Sequence, residues 1–409
     1  MEDGSKSIKL EVPADVSYIL DVIRNAGYEA YIVGGCVRDS LLGRLPKDWD
    51  ITTSALPEQV KELFHATADT GLKHGTVMVI RGGKGYEVTT YRIDGSYSDG
   101  RHPDSVTFTP NLEEDLKRRD FTINAFAYDP SKGIVDLFGG LDDLDNGIIR
   151  AVGDPRRRFE EDALRIMRAV RFSAQLSFRI EEETRAAITE FADRLEMVSR
   201  ERIRVEFENT VYSPNPSYVN EYAGLGLAPY IIPDKWEQCF GEENARIMES
   251  IQEAESCDGR ILRLAAFFRD IEPEECSSVM RKMTFDNNSR ELVCGILKYW
   301  KDISSADDLK KVKHMLKVTG DEMFSLAARF AQVCGQDVSA SLEAYRLVKE
   351  RGDAYSISML DINGGELIAA GIPEGAQIGE TLKMLLDKVI EYPELNNKES
   401  LLNLLRSNK

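Results

Sequence analysis

Apolar residues recur at helical spacing between Val16 and Ala26 (Ile19, Leu20, Val22, Ile23), and Gly27 marks the stop. The apolar run Ala30 to Val33 (AYIV) then reads as a short buried strand, closed by Gly34 and Gly35. VRDSLLG reads as a short helix ending at Gly43, and Asp50 to Thr53 as a strand. Pro57 opens a helix, PEQVKELF, with proline in its first turn. Thr76 to Ile80 (TVMVI) and Tyr86 to Arg92 (YEVTTYR) read as strands around the turn GGKG, and Val106 to Thr109 as another.

Beyond Leu141 the strand signals fade. Phe159 to Leu176 is helical in period, followed by Glu181 to Leu195 and by Glu201 to Val211, with Ser199 as its cap. PNPSY and LAPYIIPDKW are proline-broken connectors; Gly259 to Phe268 and Glu291 to Trp300 stand among the later helices. The pattern predicts an α+β chain: an N-terminal part carrying a mixed sheet with helices, then an all-helical remainder.

At 409 residues the chain has room for two to four domains. No apolar run is long enough to span a bilayer, and MEDGSKSIKLEVP lacks the apolar core of a signal peptide, so a cytoplasmic location is expected. The six cysteines form no CxxC pair and read as reduced thiols; the four histidines are too scattered for a local metal site. A net charge of −18 opposes non-specific nucleic-acid binding, yet three basic clusters stand out: Arg156 to Arg158; Arg165, Arg168 and Arg171; and Lys310, Lys311, Lys313 and Lys317.

The stretch Leu45 to Thr53 (LPKDWDITT) places Asp48 and Asp50 two residues apart, on one face if both are in a strand. Two carboxylates about 4 Å apart repel by roughly 4 kcal/mol at an effective dielectric of 20. Solvent, a positive neighbour or a metal ion must offset this. Such a pair suits Mg²⁺, and Glu87 on a neighbouring strand is the candidate third acid. Upstream, Gly34 and Gly35 allow a phosphate close backbone approach at a helix N-terminus, with Arg38 to fork onto it; a tight strand–helix turn explains the same glycines. In KRRDFTINAFAYD, Arg118 and Arg119 can take phosphate oxygens and Asp120 a sugar hydroxyl, or Asp120 can cap a helix.

In RFEEDALRIMRAVRF, Asp162 and Arg165 are three apart and Glu161 and Arg165 four apart on one predicted helix. An Asp–Arg pair offers an acceptor beside donors. That matches the amino group and ring nitrogen of cytosine or adenine and mismatches guanine and uracil. Two unpaired polar groups, at about 1–3 kcal/mol each, give roughly 10²–10⁴ in discrimination. An ordinary helix salt bridge uses the same spacing.

GGCVRDSLLG, KDWDITTSALPEQV, RRDFTINAFAYD, EEDALRIMRAVRF and ERIRVEFE together resemble, in order and spacing, the motifs of class II tRNA nucleotidyltransferases, the CCA-adding enzymes. The resemblance implies a nucleotidyltransferase palm as head (1–140), then helical neck (141–210), body (211–320) and tail (321–409), the last two binding the tRNA acceptor arm. Asp48, Asp50 and Glu87 would hold Mg²⁺. Gly34, Gly35, Arg38, Arg119, Asp120, Asn124 and Arg168 would meet the nucleotide, with Arg119 and Asp120 at its ribose. Asp162 and Arg165, supported by Glu161, would select CTP and ATP. Asp136 to Gly140 resembles a head–neck hinge, and Arg202 and Glu206 a brace for the selecting helix. The loop segment RIDGSYSDGRHPDSVTF resembles one that CC-only members lack. An A-adding enzyme or poly(A) polymerase is the alternative, although the polymerases carry proline where Ala163 stands here. A catalytically silent RNA-binding relative is the alternative of another class. No histidine–aspartate phosphohydrolase motif is present; which helices touch tRNA is not legible in the sequence, and Lys310 to Lys317 is a candidate only.

Overall fold

In the computed structural model, which describes residues 9–71, 74–95, 105–252 and 256–407, α1 (Ala14–Asn25) turns Val16, Ile19, Leu20 and Ile23 inward. This is the stripe its period predicts. The completely buried β1 (Ala30–Val33) follows, and Gly34 carries the chain into α2 (Gly35–Leu41). Next come β2 (Asp50–Thr53) and α3 (Pro57–Leu63). The strands β3 (Thr67–Gly71), β4 (Thr76–Arg81) and β5 (Lys84–Thr90) follow as a meander.

A two-stranded ribbon, β6 (Arg92–Asp94) with β7 (Val106–Phe108), leads to α4 (Leu112–Lys117). The middle of the expected loop, residues 96–104, lies outside the described residues. β8 (Phe126–Asp129) and β9 (Gly133–Asp136) complete a seven-stranded mixed sheet of order β3-β4-β5-β2-β1-β8-β9. Its one parallel pair is β2 with β5, in register Ile51 to Val88 and Thr52 to Thr89. Continued one residue, that register sets Asp50 beside Glu87 on one face.

After α5 (Gly140–Asp145) the chain is helical: α6 (Pro155–Glu161), α7 (Leu164–Leu176), α8 (Glu182–Glu190) and α9 (Arg200–Val211). A two-residue parallel pair, Ile148–Ile149 with Arg179–Ile180, is the only further sheet among the described residues. Ser199 stands at the N-cap of α9, but its side chain makes no capping bond. The chain divides into two compact units, Met1–Pro233 and Asp234–Lys409.

Among its described residues the second unit has helices and no strand. One of its hydrophobic clusters runs from Ile303 to Tyr355, so packing continues across residue 320, where Gly320 kinks the helix Leu309–Val333 at φ 70°. Another runs from Ala354 to Leu401. The six cysteines are free thiols, of which Cys36, Cys239 and Cys276 are buried. No helix among the described residues is long and apolar enough to cross a membrane.

Candidate active site

Gly34 adopts φ 79°, a conformation side chains rarely take, and a Cβ there would meet Arg119 Nη1 at 3.0 Å. Glycine thus serves the turn and the close approach of an arginine together. Arg119 is held loosely, by Asp115 Oδ2 at 3.4 Å, and its buried Nε has no partner among the described residues. Arg38 is different. It is buried, its Nε and Nη2 donate to Asp39 Oδ1 at 2.9 and 2.7 Å, and its Nη1 donates to Asn124. Its expected fork is therefore used internally, and Arg119 is the arginine with a donor to spare.

Asp48 lies just before the strand and Asp50 begins it; both are exposed, as is Glu87. The three acids feel one another. Crowding by protein raises the pKa of Asp50, Asp48 raises it further, and Arg119 only partly opposes this. Glu87 is raised by partial desolvation from the protein around it, then by Asp50 and Asp48.

Gly34, Gly35, Arg38, Asp50, Arg119, Asp120, Asn124, Asp162, Arg165 and Arg168 all line one cavity of about 390 Å³. Asp120 is its strut. Oδ1 accepts from the Phe121 amide (2.8 Å) and Asn124 Nδ2 (3.0 Å), and Oδ2 from Arg168 Nε (2.8 Å) and Nη2 (2.6 Å). Both of its oxygens are thus engaged within the protein, where the resemblance places a sugar hydroxyl. Burial disfavours the charge of Asp120, but Arg168 and Asn124 outweigh that and hold the carboxyl well below its ordinary value.

A folded-state pKa below the unfolded one gives stability that is complete above the unfolded value and is lost progressively as pH falls from there through the folded value. Asp120→Asn should therefore cost about 2–3 kcal/mol at pH 7 in urea unfolding. The gap to wild type should begin to narrow below about pH 4 and go on narrowing as the pH falls further toward the lowered folded value.

The periodicity predicted one helix from Phe159 to Leu176, but the helix breaks at Asp162 (φ −145°, ψ 103°). Asp162 Oδ1 instead accepts the Leu164 amide at 3.0 Å, opening α7, and Oδ2 accepts Arg202 Nη2 at 2.8 Å. Arg165 is fixed by three acceptors: Glu161 Oε2 (2.6 Å), the Arg158 carbonyl (3.0 Å) and the Arg118 carbonyl (2.8 Å). Glu161 thus orients it as the spacing implied. From α9, Glu206 also braces α7, pairing with Arg171 at 3.0 Å.

The segment 30–150 matches the poly A polymerase head domain, 177–239 the "Probable RNA and SrmB- binding site of polymerase A", and 260–405 a tRNA nucleotidyltransferase domain 2. A CCA-adding enzyme of Lactobacillus helveticus is 40% identical over 94% of this chain and 94% of its own length. The chain belongs to the CCA-adding enzymes. Another member, from Lactiplantibacillus plantarum, is 37% identical over 95% of this chain and 94% of its own. The crystal structure of the Bacillus stearothermophilus CCA-adding enzyme in complex with CTP superposes with a TM-score of 0.80 at 33% identity, covering 96% of each chain. This CCA-adding enzyme is accordingly an α+β nucleotidyltransferase, a family with a divalent-metal requirement.

The residues fit such an ion in chemistry: hard carboxylate oxygens crowded by like charge. Among the described residues, however, no three acids, histidines or cysteines come together closely enough to cage a metal. The expected three-acid set is therefore not assembled. Asp48 and Asp50 would hold the ion, with Glu87 in electrostatic range.

Two residues escaped the sequence reading. Asp115 is buried and holds Arg118 at 2.8 Å, Arg119 at 3.4 Å and the Thr52 hydroxyl at 3.2 Å. Burial opposes its charge, but the two arginines keep its pKa lowered. Its i+3 and i+4 spacing to them was the available signal. Phe172, the last aromatic of RFEEDALRIMRAVRF, carries Arg38, Arg168 and Arg171 over its ring at 5.0, 5.2 and 4.3 Å. The Lys310 to Lys317 cluster, by contrast, is paired throughout. Lys310 meets Glu391 (2.7 Å), Lys311 Asp307 (2.6 Å), Lys313 Asp353 (3.4 Å) and Lys317 Asp387. Its charge is thus balanced locally by acids.

Proposed function

We propose that this chain adds C, C and A in turn to the 3′ end of tRNA, from CTP and ATP and without a nucleic-acid template, releasing pyrophosphate. The observation that carries this reading is one cavity in which Asp50, the donor-bearing Arg119 and the fixed pair Asp162–Arg165 converge. We assign Gly34, Gly35 and Arg119 to the triphosphate and Asp162 with Arg165 to the base. Asp120, Asn124, Arg38 and Arg168 form the frame that holds them. Glu161, Arg202 and Glu206 position the selecting pair.

Asp48 and Asp50 would hold Mg²⁺, whose preference for one or two carboxylates plus phosphate oxygens matches a pair better than a cage. When bound, the ion lowers the pKa of the attacking 3′-hydroxyl and neutralises charge on the phosphates. Positioning by the cavity walls supplies the rest. The same reading divides the chain into head (1–140), neck (141–210), body (211–320) and tail (321–409). The last two would take the tRNA acceptor arm, in the cytoplasm.

The test uses tRNA ending before CCA, in C, or in CC, each with labelled CTP or ATP and Mg²⁺. Incorporation on all three that stops after one A is the expected result. Long A tails would mean a poly(A) polymerase, and no incorporation a silent RNA binder.

A further inference from the structure

The basic clusters that stand out in the sequence are spent on acids: Arg156 on Glu190, Arg157 and Arg158 on Glu161, Arg168 on Asp120, Arg171 on Glu206, and the lysines of 310–317 on their own partners. Three lysines that form no cluster in sequence meet instead around one groove. Lys9, Lys47 and Lys84 are exposed, and none is held in an ion pair among the described residues. With Arg44 they line an opening of about 790 Å³ together with Trp49, Leu45, Tyr86 and Asp48. Four cations face two acids there, Glu11 and Asp48, on a chain whose net charge is −18. Trp49 is half-buried and Leu45 is 94% exposed, so flat apolar surface lies among unpaired cations. Cations that track a backbone beside an aromatic face on which a base can stack are the chemistry of single-stranded nucleic-acid binding.

The groove's place decides which strand. Asp50 lines the nucleotide cavity and Asp48 lines the groove, two residues away. In phosphoryl transfer the attacking and leaving oxygens lie roughly in line on opposite sides of phosphorus. If the triphosphate lies toward Gly34, Gly35 and Arg119, the hydroxyl must arrive from the other side of the acid pair. We infer that the groove bounded by Lys9, Arg44, Lys47, Trp49 and Lys84 seats the unpaired 3′-terminal nucleotides of the tRNA, delivering the terminal hydroxyl past Asp48. This inference rests on the nucleotidyl-transfer reading and adds the seat of the RNA end to it. Trp49, which has no part in holding the nucleotide, becomes a stacking platform.

The experiment uses the full-length protein with tRNA ending before CCA. Trp49→Ala should raise KM for this tRNA about tenfold, while CTP affinity, measured by titration calorimetry, stays within about twofold. Lys84→Ala, at the exposed first position of β5 and safe for folding, should lower the slope of log KM against log salt by roughly 0.7. A 4-thiouridine at the RNA 3′ end should cross-link to peptides 44–49 or 84–86. Unchanged tRNA KM and salt slope in both variants, with cross-links elsewhere, would overturn the inference. If wild type incorporates CTP normally in that case, the transfer reading stands and only the seat is wrong. If wild type cross-links at the groove but incorporates nothing, the transfer reading fails and the docking surface survives.

Discussion

Asp50→Asn should abolish nucleotidyl transfer and, in the same protein, raise the melting temperature measured without divalent ions. The loss follows from the role proposed for the acid pair. One carboxylate fewer leaves the reacting phosphates without the charge that holds their counter-ion, and removing a comparable electrostatic element costs roughly 10³-fold or more. The gain in stability follows from the pKa directions. Asp50 and Glu87 titrate above their ordinary values because protein crowds them and because they and Asp48 repel one another. A carboxyl with a raised folded-state pKa binds more protons folded than unfolded, so it destabilises the fold when charged and relieves that strain as pH falls toward its ordinary range. Asparagine makes the relief permanent. The expected gain is about 1–3 °C, because the site is open to solvent. Wild type should gain stability as the pH falls from its raised value toward the ordinary one near 3.8, and the variant should gain less. Mg²⁺ should raise the melting temperature of wild type more than that of the variant. Transfer that survives the substitution would refute the assignment, and a variant that melts lower and responds equally to Mg²⁺ would show the carboxylate to be structural.

The parts of this site that were legible in the sequence are the parts made locally. The strand Ala30 to Val33 running through two glycines into a helix needs only a dozen residues, and the structure reproduces it with Gly34 at positive φ. Glu161 reaching Arg165 is a one-turn contact and follows from spacing alone. The break at Asp162 was hidden because the apolar period of Phe159, Ile166, Met167 and Val170 runs through it, and all four are buried on either side of it. What ends the helix is a side chain turned back to cap its successor and an arginine forty residues on. Neither changes the hydrophobic pattern. Asp120 shows the same limit: its sequence neighbours suggested a ligand contact, while Arg168, 48 residues away, claims its second oxygen. The groove lysines were invisible for a related reason, since positions 9, 47 and 84 become neighbours only when the chain folds around the sheet.

Asp162→Ala should loosen base choice without touching metal binding. In the folded chain Asp162 does two jobs with two oxygens, and the variant separates them. Oδ1 caps α7 through the Leu164 amide, and losing it costs about 1 kcal/mol of stability. Oδ2 meets Arg202, which keeps the carboxylate turned beside Arg165 along the cavity wall. Without it, cytosine and adenine lose the acceptor for their amino groups, and uracil and guanine no longer meet a carboxylate with their carbonyls. Rejection of UTP and GTP, read as ratios of kcat/KM on tRNA ending before CCA, should weaken by roughly 10²-fold. Asp162→Asn sharpens the test. It keeps a capping oxygen but offers an N–H₂ donor where an acceptor stood, so it should accept UTP better than the alanine variant does. Arg202→Ala should raise misincorporation while leaving the cap in place. Asp162→Ala enzyme that melts lower yet excludes UTP and GTP as well as wild type would make Asp162 a helix cap and nothing more, and base selection would then have to rest on Arg165, whose guanidinium is held by Glu161 and two backbone carbonyls independently of Asp162.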